Sequence, residues 1–127
     1  LGKERSRRDP SRAIMRGIAL NPGTNVQCLE PLLEELELIL LLAVNPGWGS
    51  QNFAWSIERK VKTLRSLSEQ FGCNVMIGID GAITRNNIAH VRGLGADIIV
   101  MGSAIYENGR PFDNFKELNA LLFQSTE

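Results

Sequence analysis

Leu38-Ile39-Leu40-Leu41-Leu42-Ala43-Val44 runs directly into Asn45-Pro46-Gly47-Trp48-Gly49-Ser50-Gln51. The seven apolar residues are too few to span a bilayer and suit a strand buried on both faces, as in a parallel sheet. The proline, two glycines and serine that follow break regular structure and leave backbone N–H groups free to face an anion. A helix-like pattern comes next. Buried strand, glycine-rich loop and helix in that order form a phosphate-site hypothesis, and similar punctuation recurs further along the chain.

The chain of 127 residues is long enough for one domain with one core. Zero net charge gives no overall field toward nucleic acid or an anionic membrane, and neither is expected as a partner. Arg5, Arg7, Arg8, Arg12 and Arg16 crowd the beginning, but no aromatic side chain interleaves them, so they read as a solvated loop or helix end. Cys28 and Cys73 form neither a C-x-x-C pair nor a zinc spacing. Both read as ordinary buried thiols of a reducing, cytoplasmic compartment. The sequence opens at Leu1 on a charged, non-periodic stretch, as expected of a piece of something longer.

Working outward from the opening loop, Ile14 to Leu20 reads as a strand, then the turn Asn21-Pro22-Gly23. Thr24-x-x-Gln27 looks like a capping box for a helix that buries Val26, Leu29, Leu33 and Leu36, with Pro31 as an awkward member. After the loop, a helix from about Ala54 to Phe71 stops at Gly72. Val75 to Ile79 is a strand ending at Asp80-Gly81-Ala82. A helix capped by Thr84 follows from about Arg85 to Leu94, with His90 on its surface or packed beside it. Ile98 to Met101 is a strand ending at Gly102-Ser103, and a last helix from Pro111 to Phe123 carries Phe112, Phe115, Leu118 and Leu122 on one face. The order βαβαβαβα, with apolar strands and amphipathic helices, predicts a parallel α/β architecture. An open doubly wound sheet and part of a (β/α)₈ barrel both fit; polar and glycine residues after every strand favour the barrel, of which four units make half.

The stretches Gly17 to Thr24, Val44 to Gln51, Ile79 to Ile83 and Gly102 to Ile105 resemble, in order and spacing, the ribulose-phosphate 3-epimerase family. The resemblance covers about residues 14–107 and implies strands five to eight of a TIM (β/α)₈ barrel of the ribulose-phosphate-binding type. Residues 1–13 would then be a basic lead-in from a missing N-terminal half, and 14–127 the C-terminal half of one domain. The implied reaction interconverts ribulose 5-phosphate and xylulose 5-phosphate in the pentose phosphate pathway, inverting one carbon beside a ketone through an enediolate. Such chemistry needs an acid and a base on opposite faces, a cation for the enediolate oxygens and an anion cradle for the phosphate. By resemblance, Asp80 is both an acid/base group and a ligand of one divalent metal ion: zinc, iron, manganese or cobalt. Gly47, Trp48, Gly49 and Ser50 match the substrate loop, and Gly81 and Ala82, then Gly102 and Ser103, match backbone donors to the phosphate.

Several positions depart from the family pattern. Ala82 replaces a glycine, at a cost of about 1 kcal/mol if φ there is positive. Ser50 also replaces a glycine, Trp48 a phenylalanine, and Leu42 a methionine over the substrate, which points to another ketose phosphate such as allulose 6-phosphate as an alternative. The family's remaining ligands, two histidines and an aspartate, and its second acid/base carboxylate lie on strands two and three. This chain alone is therefore expected to be inactive as an epimerase. The competing readings are a non-catalytic half-barrel that self-associates as a homo-oligomer, and a phosphate-binding barrel of amino-acid biosynthesis.

Overall fold

The computed structural model describes residues 4–47 and 51–123. Four strands form one sheet in the order β1 (Gly17–Leu20), β2 (Leu38–Leu42), β3 (Met76–Asp80) and β4 (Ile98–Val100). All three pairings are parallel and join strands adjacent in sequence. The connections are a 3-10 helix (Val26–Glu35), α1 (Ser56–Gln70) and α2 (Ile88–Gly93); α3 (Ser103–Tyr106), a short 3-10 turn and α4 (Pro111–Phe123) follow β4. The parallel α/β expectation holds at the level of the sheet, and the bounds of α4 agree with the sequence reading.

The register separates the two sides of the sheet. Ile18, Ile39 and Ile77 are partners, as are Leu20, Leu41, Ile79 and Ile99. Ile39, Leu41, Ile77 and Ile79 are fully buried and join Leu29, Leu33, Ile57, Leu64, Ile88 and Leu118 in the core. Side chains alternate along a strand, so Ala19, Leu40, Leu42, Met76, Asp80, Ile98 and Val100 share the opposite face. Ala19 and Val100 are exposed on that face, Val100 to 39%, and the others are half-buried. Gly78 lies on it too: a Cβ there would sit 2.9 Å from Leu40 Cδ1.

Several local expectations are corrected. The first helix is not started by Thr24. Asn25 is its N-cap, with Oδ1 accepting from the Gln27 N–H at 3.0 Å, the shorter reach of an asparagine amide to the second helical N–H. With Pro31 inside, the segment is 3-10 rather than α, yet it buries Val26, Leu29, Leu33 and Leu36 as expected. Cys28 is exposed and Cys73 half-buried, because Cys28 lies on the outer side of that helix; the buried-thiol reading of Cys28 is wrong. The lead-in is a pinned hairpin rather than a loop: Arg5 bridges Ala13, and Asp9 Oδ1 accepts from the Ser11 N–H. On α4, Leu118 is buried, but Phe112 and Phe115 are exposed. The helix docks instead through buried Asn114, whose amide donates to the Ile105 and Glu107 carbonyls at 2.8 Å and accepts from Arg85.

Candidate active site

Because the strands are parallel, the segments that leave them lie at one end of the sheet. Asn21-Pro22-Gly23 follows β1, Asn45 to Gly47 follows β2, Gly81-Ala82 follows β3, and Gly102-Ser103 follows β4. Asp80 is the last residue of β3, half-buried, with Leu42 and Val100 as its register partners. Among the described residues no hydrogen bond or ion pair reaches its carboxylate.

The backbone around Asp80 is closely held. Its carbonyl accepts from the Ala43 N–H at 2.7 Å, and the Ala43 carbonyl accepts from Ala54 N–H at 2.9 Å. One residue of the segment leaving β2 thus ties Asp80 to the start of α1. Gly81 has φ +113°, and a Cβ there would lie 2.7 Å from Val44 Cγ2 and 3.2 Å from the Val44 amide nitrogen. Only glycine fits both the angle and the space. Ala82 has φ 50°, the left-handed region in which the sequence reading assigned it a strain cost.

The loop after β2 is closed by an amide clamp that the sequence reading missed. Gln51 Oε1 accepts from the Asn45 N–H at 3.0 Å, and Gln51 Nε2 donates to the Asn45 carbonyl at 2.7 Å. Gly47 is in the left-handed region, at φ +88°. Trp48, Gly49 and Ser50, the other expected members of the substrate loop, lie outside the described residues. Beyond the clamp, Phe53 is buried and stacks at a tilt on Trp55, whose ring meets His90 edge-on with centroids 4.6 Å apart. His90 is therefore an exposed packing residue on α2, as expected.

Lys60 of α1 donates to the Asn21 and Thr24 carbonyls at 2.9 and 2.7 Å, and burial lowers its pKa from the ordinary lysine value. Gly102 leads into α3 and its carbonyl accepts from Ile105 and Tyr106; Ser103 is exposed. Thr84, Arg85, Asn86, Ser103, Ala104 and Glu107 line a cavity of about 320 Å³, and Asp80 is not among its lining residues. Arg85 braces this region through Glu107 at 3.0 Å and Glu117 at 3.2 Å. The structure thus gathers Asp80, Gly47, Gly81, Ala82, Gly102 and Ser103 at one end of the sheet, while Ser103 opens to a separate space.

A lone carboxylate does not fit a divalent metal. Among the described residues no group of three or more His, Cys, Asp and Glu side chains is arranged to hold one. No described helix is long and apolar enough to cross a membrane.

The parallel β/α sheet, with glycine turns and a carboxylate that no described residue pairs with at its strand ends, is of the α/β class whose sites lie at that end of the sheet. A solved enzyme shares the fold: 3-hexulose-6-phosphate synthase from Salmonella typhimurium aligns with a TM-score of 0.57 over 85% of this chain and 49% of that one, at 16% identity.

Sequence comparison is more specific. The model of the ribulose-phosphate 3 epimerase family matches residues 10–106, more than half of the chain, and the chain belongs to that family. It is 40% identical over 92 residues to the ribulose-phosphate 3-epimerase of Buchnera aphidicola subsp. Baizongia pistaciae, covering 72% of this chain and 40% of that protein. It is 42% identical over 93 residues to the Aquifex aeolicus enzyme, covering 71% and 40%. With the chloroplastic enzyme of Arabidopsis thaliana the figures are 39% over 90 residues, 71% and 32%. The chain therefore spans roughly a third to two fifths of the length of these relatives.

Proposed function

We propose that this chain is the C-terminal half of the (β/α)₈ barrel of a ketose-phosphate 3-epimerase that interconverts ribulose 5-phosphate and xylulose 5-phosphate. The observation that carries the reading is Asp80: a carboxylate at a strand end, without a partner among the described residues, on the half-buried face of the sheet, beside the turns after four parallel strands. At that position it is assigned the proton transfer on one face of the carbon α to the ketone, and a second acid/base group serves the opposite face. The backbone N–H groups of Gly47, Gly81, Ala82, Gly102 and Ser103, with those of Trp48, Gly49 and Ser50, are assigned to the phosphate, whose capture would stop the sugar from tumbling. Leu42 shares a register position with Asp80 and is assigned to the sugar's apolar side.

A divalent metal would stabilise the negative oxygens of an enediolate, and Asp80 is the ligand this chain would offer. The described residues do not hold such an ion alone, so the other ligands and the second acid/base group are assigned to residues outside this sequence. The open face and the edges β1 and β4, unpaired among the described residues, also favour a second reading, in which copies of the chain self-associate.

The test is solvent deuterium entry at the α-carbon of ribulose 5-phosphate, with this chain alone and with the segment that precedes it in a full-length relative. Exchange is expected only with both parts, and is expected to vanish on Asp80→Asn. Exchange that survives that substitution removes Asp80 from the chemistry.

A further inference from the structure

Asn87 stands immediately before α2 and has the position of a helix cap, yet its side chain makes no capping bond to that helix. It turns back instead. Nδ2 donates to the Ala82 carbonyl at 2.9 Å, and Oδ1 accepts from the Thr84 N–H at 2.8 Å. The segment it spans is the turn after Asp80, where two successive residues have positive φ, +113° at Gly81 and 50° at Ala82. Val44 packs so close to Gly81 that no side chain fits there. Ala82 is a non-glycine residue in a conformation that L side chains disfavour, and something must hold it there.

We propose that Asn87 is a positioning residue for Asp80: its carboxamide holds Ala82 in the left-handed conformation and so fixes the path of the chain as it leaves the Asp80 strand end. The proposal deepens the reading of Asp80 given above and rests on it for its link to sugar-phosphate binding. The conformational part stands on the geometry alone. Glycine adopts positive φ at little cost, so the need for Asn87 should depend on what occupies position 82.

A double-mutant cycle on the chain tests this. Equilibrium unfolding is measured for Asn87→Ala, Ala82→Gly and the pair, with residue 82 followed by its φ-sensitive NMR coupling and carbon shifts. With Ala82 present, Asn87→Ala removes both side-chain bonds and is expected to lower the folding equilibrium constant about tenfold or more. In the Ala82→Gly background the loss should shrink several-fold, and the φ signature of residue 82 should return. Asn87→Asp keeps an acceptor for Thr84 but no donor for Ala82, and should behave like Asn87→Ala. If Asn87→Ala folds only when combined with Ala82→Gly, that is the rescue expected. Equal losses in both backgrounds, failure to fold in both, or an unchanged φ signature at Ala82 in Asn87→Ala would overturn the proposal.

Ribulose 5-phosphate titration, read at the amides of residues 81 and 82, separates the two layers. Weaker binding in Asn87→Ala, restored by adding Ala82→Gly, supports both. If no variant binds even with the preceding segment of a full-length relative supplied, while the cycle is non-additive, the sugar-phosphate reading fails and the positioning of the turn stands.

Discussion

The two faces of the sheet are made by the same strands from much the same residues, and they end in opposite states. On one face Ile39, Leu41, Ile77 and Ile79 are sealed under helices. On the other, one residue away along each strand, Leu40, Leu42, Met76 and Ile98 remain half-buried, Val100 is exposed, and Asp80 sits among them. Composition does not account for the difference, since β2 is apolar throughout. The helices do: they cover the side on which their own stripes meet alternate strand residues. The lesson is that an apolar strand can be structural on one side and available on the other, and that a lone carboxylate marks which side is available.

Substitutions can break that contrast. Ile77→Ala opens a cavity in the sealed face and should cost about 2–5 kcal/mol, seen as a large fall in the urea midpoint. Gly81→Ala forces a Cβ against Val44 at an angle reserved for glycine, at an expected cost of about 1–3 kcal/mol in the same measurement. Leu42→Ala removes a side chain of Ile77's size from the open face and should cost about 1 kcal/mol or less. Equal costs for Leu42 and Ile77 would erase the distinction between the faces. Asp80→Asn touches no partner among the described residues and should leave the midpoint within about 0.5 kcal/mol while abolishing deuterium exchange in the completed enzyme.

The smallest effect is electrostatic and lies at the opposite end of the sheet. Burial pushes the Asp97 carboxyl up, but the Ile77 N–H and the Arg65 guanidinium outweigh it, so its pKa is lowered from the ordinary value. Asp97 Oδ2 accepts from both at 2.8 Å. A depressed folded-state pKa gives stability that is present above the unfolded value, near pH 4, and is lost as pH falls through the folded one. Asp97→Asn should therefore lower stability modestly near neutrality and converge with the parent chain as pH falls below about 4, flattening the acid limb of the profile. With Asp97 partly exposed, solvent screening keeps the effect modest.

What the sequence made legible was whatever repeats or punctuates. Long apolar runs marked the strands, helical stripes marked Ile57, Val61 and Leu64 as core, and Gly72 ended α1 at φ +63°. Side chains that reach backward stayed hidden. Asn25, Gln51 and Asn87 each bind backbone a few residues away, and no periodicity reports a carboxamide's direction. Thr84 looks like the cap of α2 because hydroxyl residues often are, but the helix begins only at Ile88, after Asn87 has bound the turn. Phe112 and Phe115 follow an apolar stripe that Asn114 overrides, since a buried amide fixes helix rotation more strictly than a phenyl ring does. For the site, Asp80 and the glycine turns were visible as residue types, and the parallel sheet brings them to one end. The clamp and the brace that hold them were not visible.

The pairing order has a consequence of its own. Among the described residues each strand bonds only its neighbour in the chain, and both outer strands keep an unmatched ladder. A chain wired this way grows by accretion: whole strand-and-helix units can join at either border without rethreading what is already folded. Ala43 is the joint in that wiring, since its backbone bonds both to the Asp80 carbonyl and to the start of α1 and so couples two successive units.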